Sequence, residues 1–178
     1  EEGPSHPAPN SIKMTLEAGR ALRAQVSRSS HADWTPAPDR RDPIAMLEDS
    51  GQGRMADLLP LRYGRMARSP FAFFRGAAGI MAYDLQHTPS TGIRVQASGD
   101  CHLCNFGAFA TPERRLVFDL NDFDETLPAA WEWDVKRLAA SAFVAARHLG
   151  GDTSACDEAA RAIVGIYQKR LRRYAGMG

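Results

Sequence analysis

Cysteine is scarce. Only Cys101, Cys104 and Cys156 occur in 178 residues, too few and of odd number for a disulfide scaffold, so a reducing compartment is expected. Long apolar runs are missing too. The longest, Leu138–Ala146, spans nine residues and includes Ser141, well short of the roughly 20 a bilayer requires. No basic-then-apolar leader opens the chain, and it starts at Glu1 rather than Met, so its start reads as processed or cut. Charge of one sign is lacking as well. The 22 Lys and Arg nearly balance 21 Asp and Glu for a net +1, without the basic excess of a dedicated nucleic-acid binder. That balance leaves room for a small anionic substrate held by a few local charges. Together these absences predict a cytoplasmic protein with neither membrane nor nucleic-acid partner. Lysine is rare: Lys13, Lys136 and Lys169 are the only three.

What is present is enough for a packed core, since 44% of residues are hydrophobic. The length suits one domain, or one and a fragment. Residues 1–10 carry three prolines and no apolar periodicity, predicting a disordered lead-in. A short helix is expected over Ile12–Val26, and domain boundaries are set at 1–28 and 29–178. Pro36, Pro38 and Pro43 make 29–43 an extended surface segment. Ile44–Leu61 predicts one short helix ending before Pro60. Ser69-Pro70 is a good helix start, with a capping hydroxyl and a proline where no donor is needed. Phe71, Phe74, Ala78, Met81 and Leu85 then mark a single apolar face.

Ile93–Ser98 alternates like a half-buried strand. Phe106–Ala110 and Leu116–Leu120, split by Thr111-Pro112-Glu113-Arg114, read as a hairpin. Asn121–Trp133 reads as acidic and irregular. Two helices close the chain. Val135, Leu138, Ala139, Ala142, Phe143, Ala146 and Leu149 mark the face of the first, ended by Gly150-Gly151. Ser154 with Asp157 resembles a capping box for the second, whose buried side is expected at Ala159, Ile163, Ile166 and Tyr174. Lys169, Arg170, Arg172 and Arg173 crowd its end, a solvated face that complements the helix dipole.

The chemistry concentrates in G99-D-C-H-L-C-N-F-G107, L116-V-F-D-L-N-D-F-D-E-T126 and W131-E-W-D-V-K-R-L138. Asp100 follows a strand and precedes Asn105 by five residues, so both can converge across one tight loop. A carboxylate there can orient a hydroxyl and accept its proton. A carboxamide oxygen can bind a hard cation. Asp119, Asp122 and Asp124 supply further carboxylates, and Mg²⁺ takes one or two of these with phosphates and water. Singly, Asp and Asn are common turn residues; their order with Asp122 and Asp134 is what points to function.

That order resembles the protein-kinase fold, where an Asp orients the acceptor hydroxyl and an Asn and a second Asp hold magnesium. Gly-Asp-x-His before the Asn resembles the aminoglycoside and choline kinase branch. S69-P-F-A-F-F-R-G-A-A78, T91 through G107 and L116 through L138 are closer still to the domain-of-unknown-function 2252 family, with the resemblance covering about residues 20–178. It implies an α+β, kinase-like C-lobe with helices around a small catalytic-loop hairpin. Asp100 matches the catalytic Asp and Asn105 the metal-binding Asn. Asp122 best matches the metal-binding Asp, Asp119 is its rival, and Asp124 is a candidate second ligand. His102 matches a loop His that holds shape. Asp134 matches a structural Asp bracing the loop. Arg75 lies in a family block without a derived role.

The resemblance implies ATP and Mg²⁺ as cofactors, and a small-molecule or protein acceptor as partner. One departure is plain: no lysine follows a glycine-rich hairpin, and Gly51-Gln52-Gly53 lacks a third glycine at the needed spacing. In the family these elements lie after the catalytic blocks, so the chain reads as a partial member without its glycine-rich lobe. The expected function is Mg-dependent transfer of a nucleotide phosphoryl group to an unknown hydroxyl. The alternatives are a non-catalytic binding or scaffold domain, or nucleotidyl transfer. Cys101-x-x-Cys104 leaves a redox or metal module as a further reading, weakened by the absence of a second C-x-x-C.

Overall fold

The computed structural model describes residues 9–177. Of the expected lead-in, residues 1–8 lie outside the described residues, while Pro9 and Asn10 already belong to helix α1, Pro9–Gln25. A 3-10 turn at Ser29–Ala32 interrupts the extended segment that follows. Arg40 ties that segment down through a bidentate pair to Asp84, at 2.6 and 2.8 Å.

Where one helix was expected over Ile44–Leu61 there are two. α2, Pro43–Ser50, is capped by the Asp42 carboxylate, which accepts from the Ala45 N–H. Gly51 and Gly53 turn the chain, the latter at φ +80°. α3, Leu59–Met66, then begins with Pro60 in its first turn. Proline starts this helix rather than ending the previous one because first-turn N–H groups have no partner to lose.

Ser69 caps α4, Pro70–Gly76, as expected, but the apolar face does not continue as one helix. The chain breaks at Ala77 (φ −114°, ψ 35°) and restarts as α5, Ala78–Leu85. The break lies where Gly76 passes Met66 so closely that a Cβ would sit 2.6 Å from its sulfur. Met66, Leu47, Ala77 and Ile80 form the small core, with Met46 and Tyr63 against it.

β1, Arg94–Ala97, pairs antiparallel with β4, Leu127–Ala130, in the register Arg94↔Ala130 to Ala97↔Leu127. β4 lies inside the stretch read as irregular. It has no alternating pattern and carries Pro128, which is tolerated because each strand of a two-stranded sheet is an edge. β2, Phe106–Ala110, and β3, Leu116–Leu120, form the expected hairpin, from Phe106↔Leu120 to Ala110↔Leu116.

α6, Glu132–His148, and α7, Thr153–Ala175, close the fold. Asp152, not Ser154, caps α7, its carboxylate accepting from the Ala155 N–H at 2.8 Å. Ile166 and Tyr174 are exposed rather than buried. The inward side of α7 instead carries Cys156, fully buried, and Tyr167, stacked on Trp131 at 5.9 Å. Leu149 is likewise exposed. The result is an α+β fold with two small antiparallel sheets. Among the described residues no helix is long and apolar enough to cross a membrane.

Candidate functional site

The loop from Ser98 to Asn105 is held along one stripe of α6. Asp134, Arg137 and Ser141 recur at three and four residues, so they share a helix face. Each grips the next piece of loop. Asp134 accepts from the Ser98 N–H (2.8 Å), the Ser98 hydroxyl (3.1 Å) and the Gly99 N–H (3.3 Å). Arg137 donates to Asp100 Oδ1 from Nε at 2.8 Å and from Nη2 at 2.5 Å. Ser141 Oγ accepts from the Leu103 N–H at 3.1 Å and donates to the Leu138 carbonyl.

Arg137 is 2% exposed. Its guanidinium lies 4.5 Å over the Phe74 ring and donates to the Phe74 carbonyl at 2.9 Å. That carbonyl belongs to the last turn of α4, outside the regular helix ladder, where it also accepts from the Ala77 N–H at 3.3 Å. One buried cation thus joins α4, α6 and Asp100. With Oδ1 taken, Asp100 keeps Oδ2 toward His102 Nε2 at 3.5 Å. Desolvation lowers the pKa of His102; Asp100 opposes this while Arg137 and Arg75 add to it. The neutral imidazole is therefore favoured, and its Nδ1 is buried without a hydrogen bond.

Asn105, 5% exposed, is the hinge of the site. Its Nδ2 donates to the Asp100 carbonyl and to the Asp122 carbonyl, both at 3.0 Å. Its own carbonyl accepts from the Asn121 N–H. A single carboxamide therefore brings the backbone of the Asp100 loop and of the acidic segment together. Gly99 completes the approach. It sits at φ +80°, and a Cβ there would overlap the Glu125 carbonyl.

The carboxylates differ in how they are held. Asp122 Oδ1 accepts from the Asp124 N–H at 3.1 Å, a side-chain turn. Asp119, across from Gly107 on the hairpin, accepts from the Leu120 N–H at 2.8 Å. Asp119, Asp122 and Asp124 are all exposed. Among the described residues no three His, Cys, Asp or Glu side chains gather as a metal-holding group. By residue type the Asn105 carboxamide oxygen and the Asp122 carboxylate are hard donors of the kind Mg²⁺ takes, an ion that uses one or two protein carboxylates and fills the rest with phosphate and water.

The C-x-x-C does not form a unit. Cys101 is buried, and desolvation with the nearby Asp134 charge pushes its thiol up to about 11. Cys104 is exposed, and both are free thiols. Trp131 donates from Nε1 to Thr91 Oγ1 at 2.9 Å. Arg137, Ser141 and Glu132 were not singled out from the sequence. Glu132, 3% exposed, accepts from the Thr91 N–H at 2.8 Å and hydroxyl at 2.7 Å. The available signal was polar residues at 134, 137 and 141 in a helix otherwise rich in Ala and Val.

No curated protein and no solved structure matches the chain. A family model matches residues 54–178, starting later than the resemblance over 20–178 suggested. That match takes in α3 to α7 and every residue of the loop, its braces and the acidic segment, so the chain belongs to the family described as uncharacterized protein conserved in bacteria (DUF2252).

Proposed function

We propose that this chain carries the catalytic loop of a Mg²⁺-dependent, kinase-like phosphotransferase acting on a hydroxyl acceptor. The observation that supports it is the Asn105 carboxamide bridging the Asp100 and Asp122 carbonyls. It brings the backbone of the loop that carries the candidate hydroxyl-orienting Asp100 to the backbone of the segment that carries the candidate metal ligand Asp122. Asp100 Oδ2 is the oxygen left to receive the acceptor hydroxyl. Asp100 orients that hydroxyl and takes its proton as the acceptor oxygen bonds to the γ-phosphorus and the nucleoside diphosphate leaves. Asn105 and Asp122 would hold the metal, with Asp124 the second ligand and Asp119 the rival to Asp122. When bound, magnesium neutralises charge on the phosphate oxygens.

A non-catalytic binding domain is the second reading. Two observations favour it: the capture of Asp100 Oδ1 by Arg137 and the engagement of Lys136, whose ammonium donates to Thr88 Oγ1 at 2.9 Å, so it offers no phosphate grip. Nucleotidyl transfer would use the same oxygen donors. Calorimetric titration of the 178-residue chain with ATP, with and without magnesium, tests the proposal. Magnesium-dependent binding lost in Asp122→Asn supports it, and product analysis separates phosphoryl from nucleotidyl transfer. Folded protein whose ATP binding ignores both magnesium and Asp122 favours the second reading.

A further inference from the structure

Between α3 and α4 runs an open groove of about 960 Å³, within the range of small-molecule sites. Arg54, Arg62, Arg65, Arg68 and Arg75 line it, with His148 at one wall. No Asp or Glu does. Gathering five guanidinium groups around one concavity costs mutual repulsion, which a solvated helix face ordinarily relieves with interspersed carboxylates.

The arginines divide into two groups. Arg62 is anchored: it donates to the Ser50 hydroxyl at 3.3 Å and the Gly76 carbonyl at 3.2 Å. Arg54 donates to the Ser50 carbonyl and lies 4.0 Å from Glu125. The guanidinium groups of Arg65, Arg68 and Arg75 make no hydrogen bond or ion pair among the described residues. Three unpaired forks therefore face a groove whose framework is held by the other two. Planar guanidinium forks match phosphate oxygens two at a time. Exposed Met55, Leu58 and Leu61 add apolar wall, which suits a ligand with a scaffold as well as charge. Through Arg54 one lip reaches the acidic segment at Glu125.

We propose that the α3–α4 groove binds a small molecule carrying more than one phosphate, gripped by Arg65, Arg68 and Arg75. The inference stands on the groove alone and does not require phosphoryl transfer. The same chemistry could come from a nucleotide's polyphosphate tail or from a phosphorylated acceptor. A convex basic surface would suit nucleic acid better; a walled concavity favours the small ligand.

The test is calorimetry of the 178-residue chain with inorganic tripolyphosphate, without metal, at about 150 mM salt, where distant surface charges are screened. One-to-one binding is expected, weakened at least about tenfold in the double variant Arg65→Gln, Arg68→Gln. Both side chains are exposed and unpaired, so thermal melting should be unchanged. The control Arg170→Gln, Arg172→Gln removes the same charge from α7 and should leave binding intact. Displacement by metal-free ATP identifies a nucleotide source, and displacement by a sugar bisphosphate but not ATP identifies an acceptor. Three results would overturn the proposal: no binding, equal weakening by the control pair, or several-site binding with single-stranded RNA as the stronger competitor. Binding retained in Asp122→Asn keeps this result separate from the fate of the proposed metal site.

Discussion

Replacing Arg137 by Met tests whether the buried cation organises the site. The substitution keeps an unbranched apolar stem and removes the charge. Breaking a buried ion pair from one side costs about 3–5 kcal/mol, because the partner charge is stranded. The Asp100 side chain is 22% exposed against 3% for the Arg137 side chain, so water relieves part of that penalty and the lower end applies. The Phe74 carbonyl also loses one of its two donors, keeping the Ala77 N–H, at most about 1 kcal/mol. Stacking over Phe74 is largely replaced, since thioether–aromatic contact is worth about as much as the lost cation–π contact. The total is about 3–4 kcal/mol, a large share of the roughly 5–15 kcal/mol that holds a domain folded. With a urea slope of about 2 kcal/mol per molar, the unfolding midpoint should fall by about 1.5–2 M. Adding Asp100→Asn removes the stranded charge, so the double variant should recover about 1–2 kcal/mol relative to Arg137→Met alone. A loss below about 1 kcal/mol, or a double variant as unstable as the sum of the singles, would refute the reasoning.

Gly99→Ala should cost about 3 kcal/mol or more, read by thermal melting, because positive φ disfavours any side chain and the new methyl overlaps the Glu125 carbonyl. Stability should also fall with acid in two stages. Burial lowers the pKa of His102 from its ordinary 6.5, so the unfolded chain binds the proton more readily and stability is lost as pH drops below that value. Burial opposes the Glu132 charge, but hydrogen bonds from Thr91 outweigh it and leave the pKa below 4.5, giving a second loss as pH falls below that value. His102→Gln should erase the upper stage and Glu132→Gln the lower in urea midpoints measured against pH. A thiol reagent near about pH 8 should label only Cys104 in folded protein and all three cysteines in denaturant. Rapid labelling of Cys101 would contradict its burial.

The sequence made the loop legible because its chemistry is local. Asp100, Asn105 and the hairpin lie within about one turn-strand unit, and glycine, proline and asparagine punctuate it. The braces were less legible. Asp134 was expected by resemblance, whereas Arg137 and Ser141 were hidden because a polar residue in a helix ordinarily faces water. Only the position of the loop makes theirs the inner face. β4 was missed because its partner β1 supplies the pattern it lacks. The break at Ala77 was missed because 3.6-residue periodicity runs through it; what interrupts the helix is the passage of Met66 across Gly76, a contact between segments. The exposed positions in the C-terminal half of α7 were misread for the same reason, since apolar spacing at Ile166 and Tyr174 does not say whether anything packs there.

The stripe on α6 also sets an order in time. The loop's amides and its charged carboxylate find their partners 35 to 38 residues further along the chain. During synthesis the loop therefore emerges before its partners on α6, and waits 35 to 38 further residues until Asp134, Arg137 and Ser141 follow. Its geometry is then set from one end to the other as the helix winds, about 1.5 Å of rise per residue. The site is in this sense the last thing the segment makes, and a chain stalled before Ser141 carries the loop's full sequence without its shape.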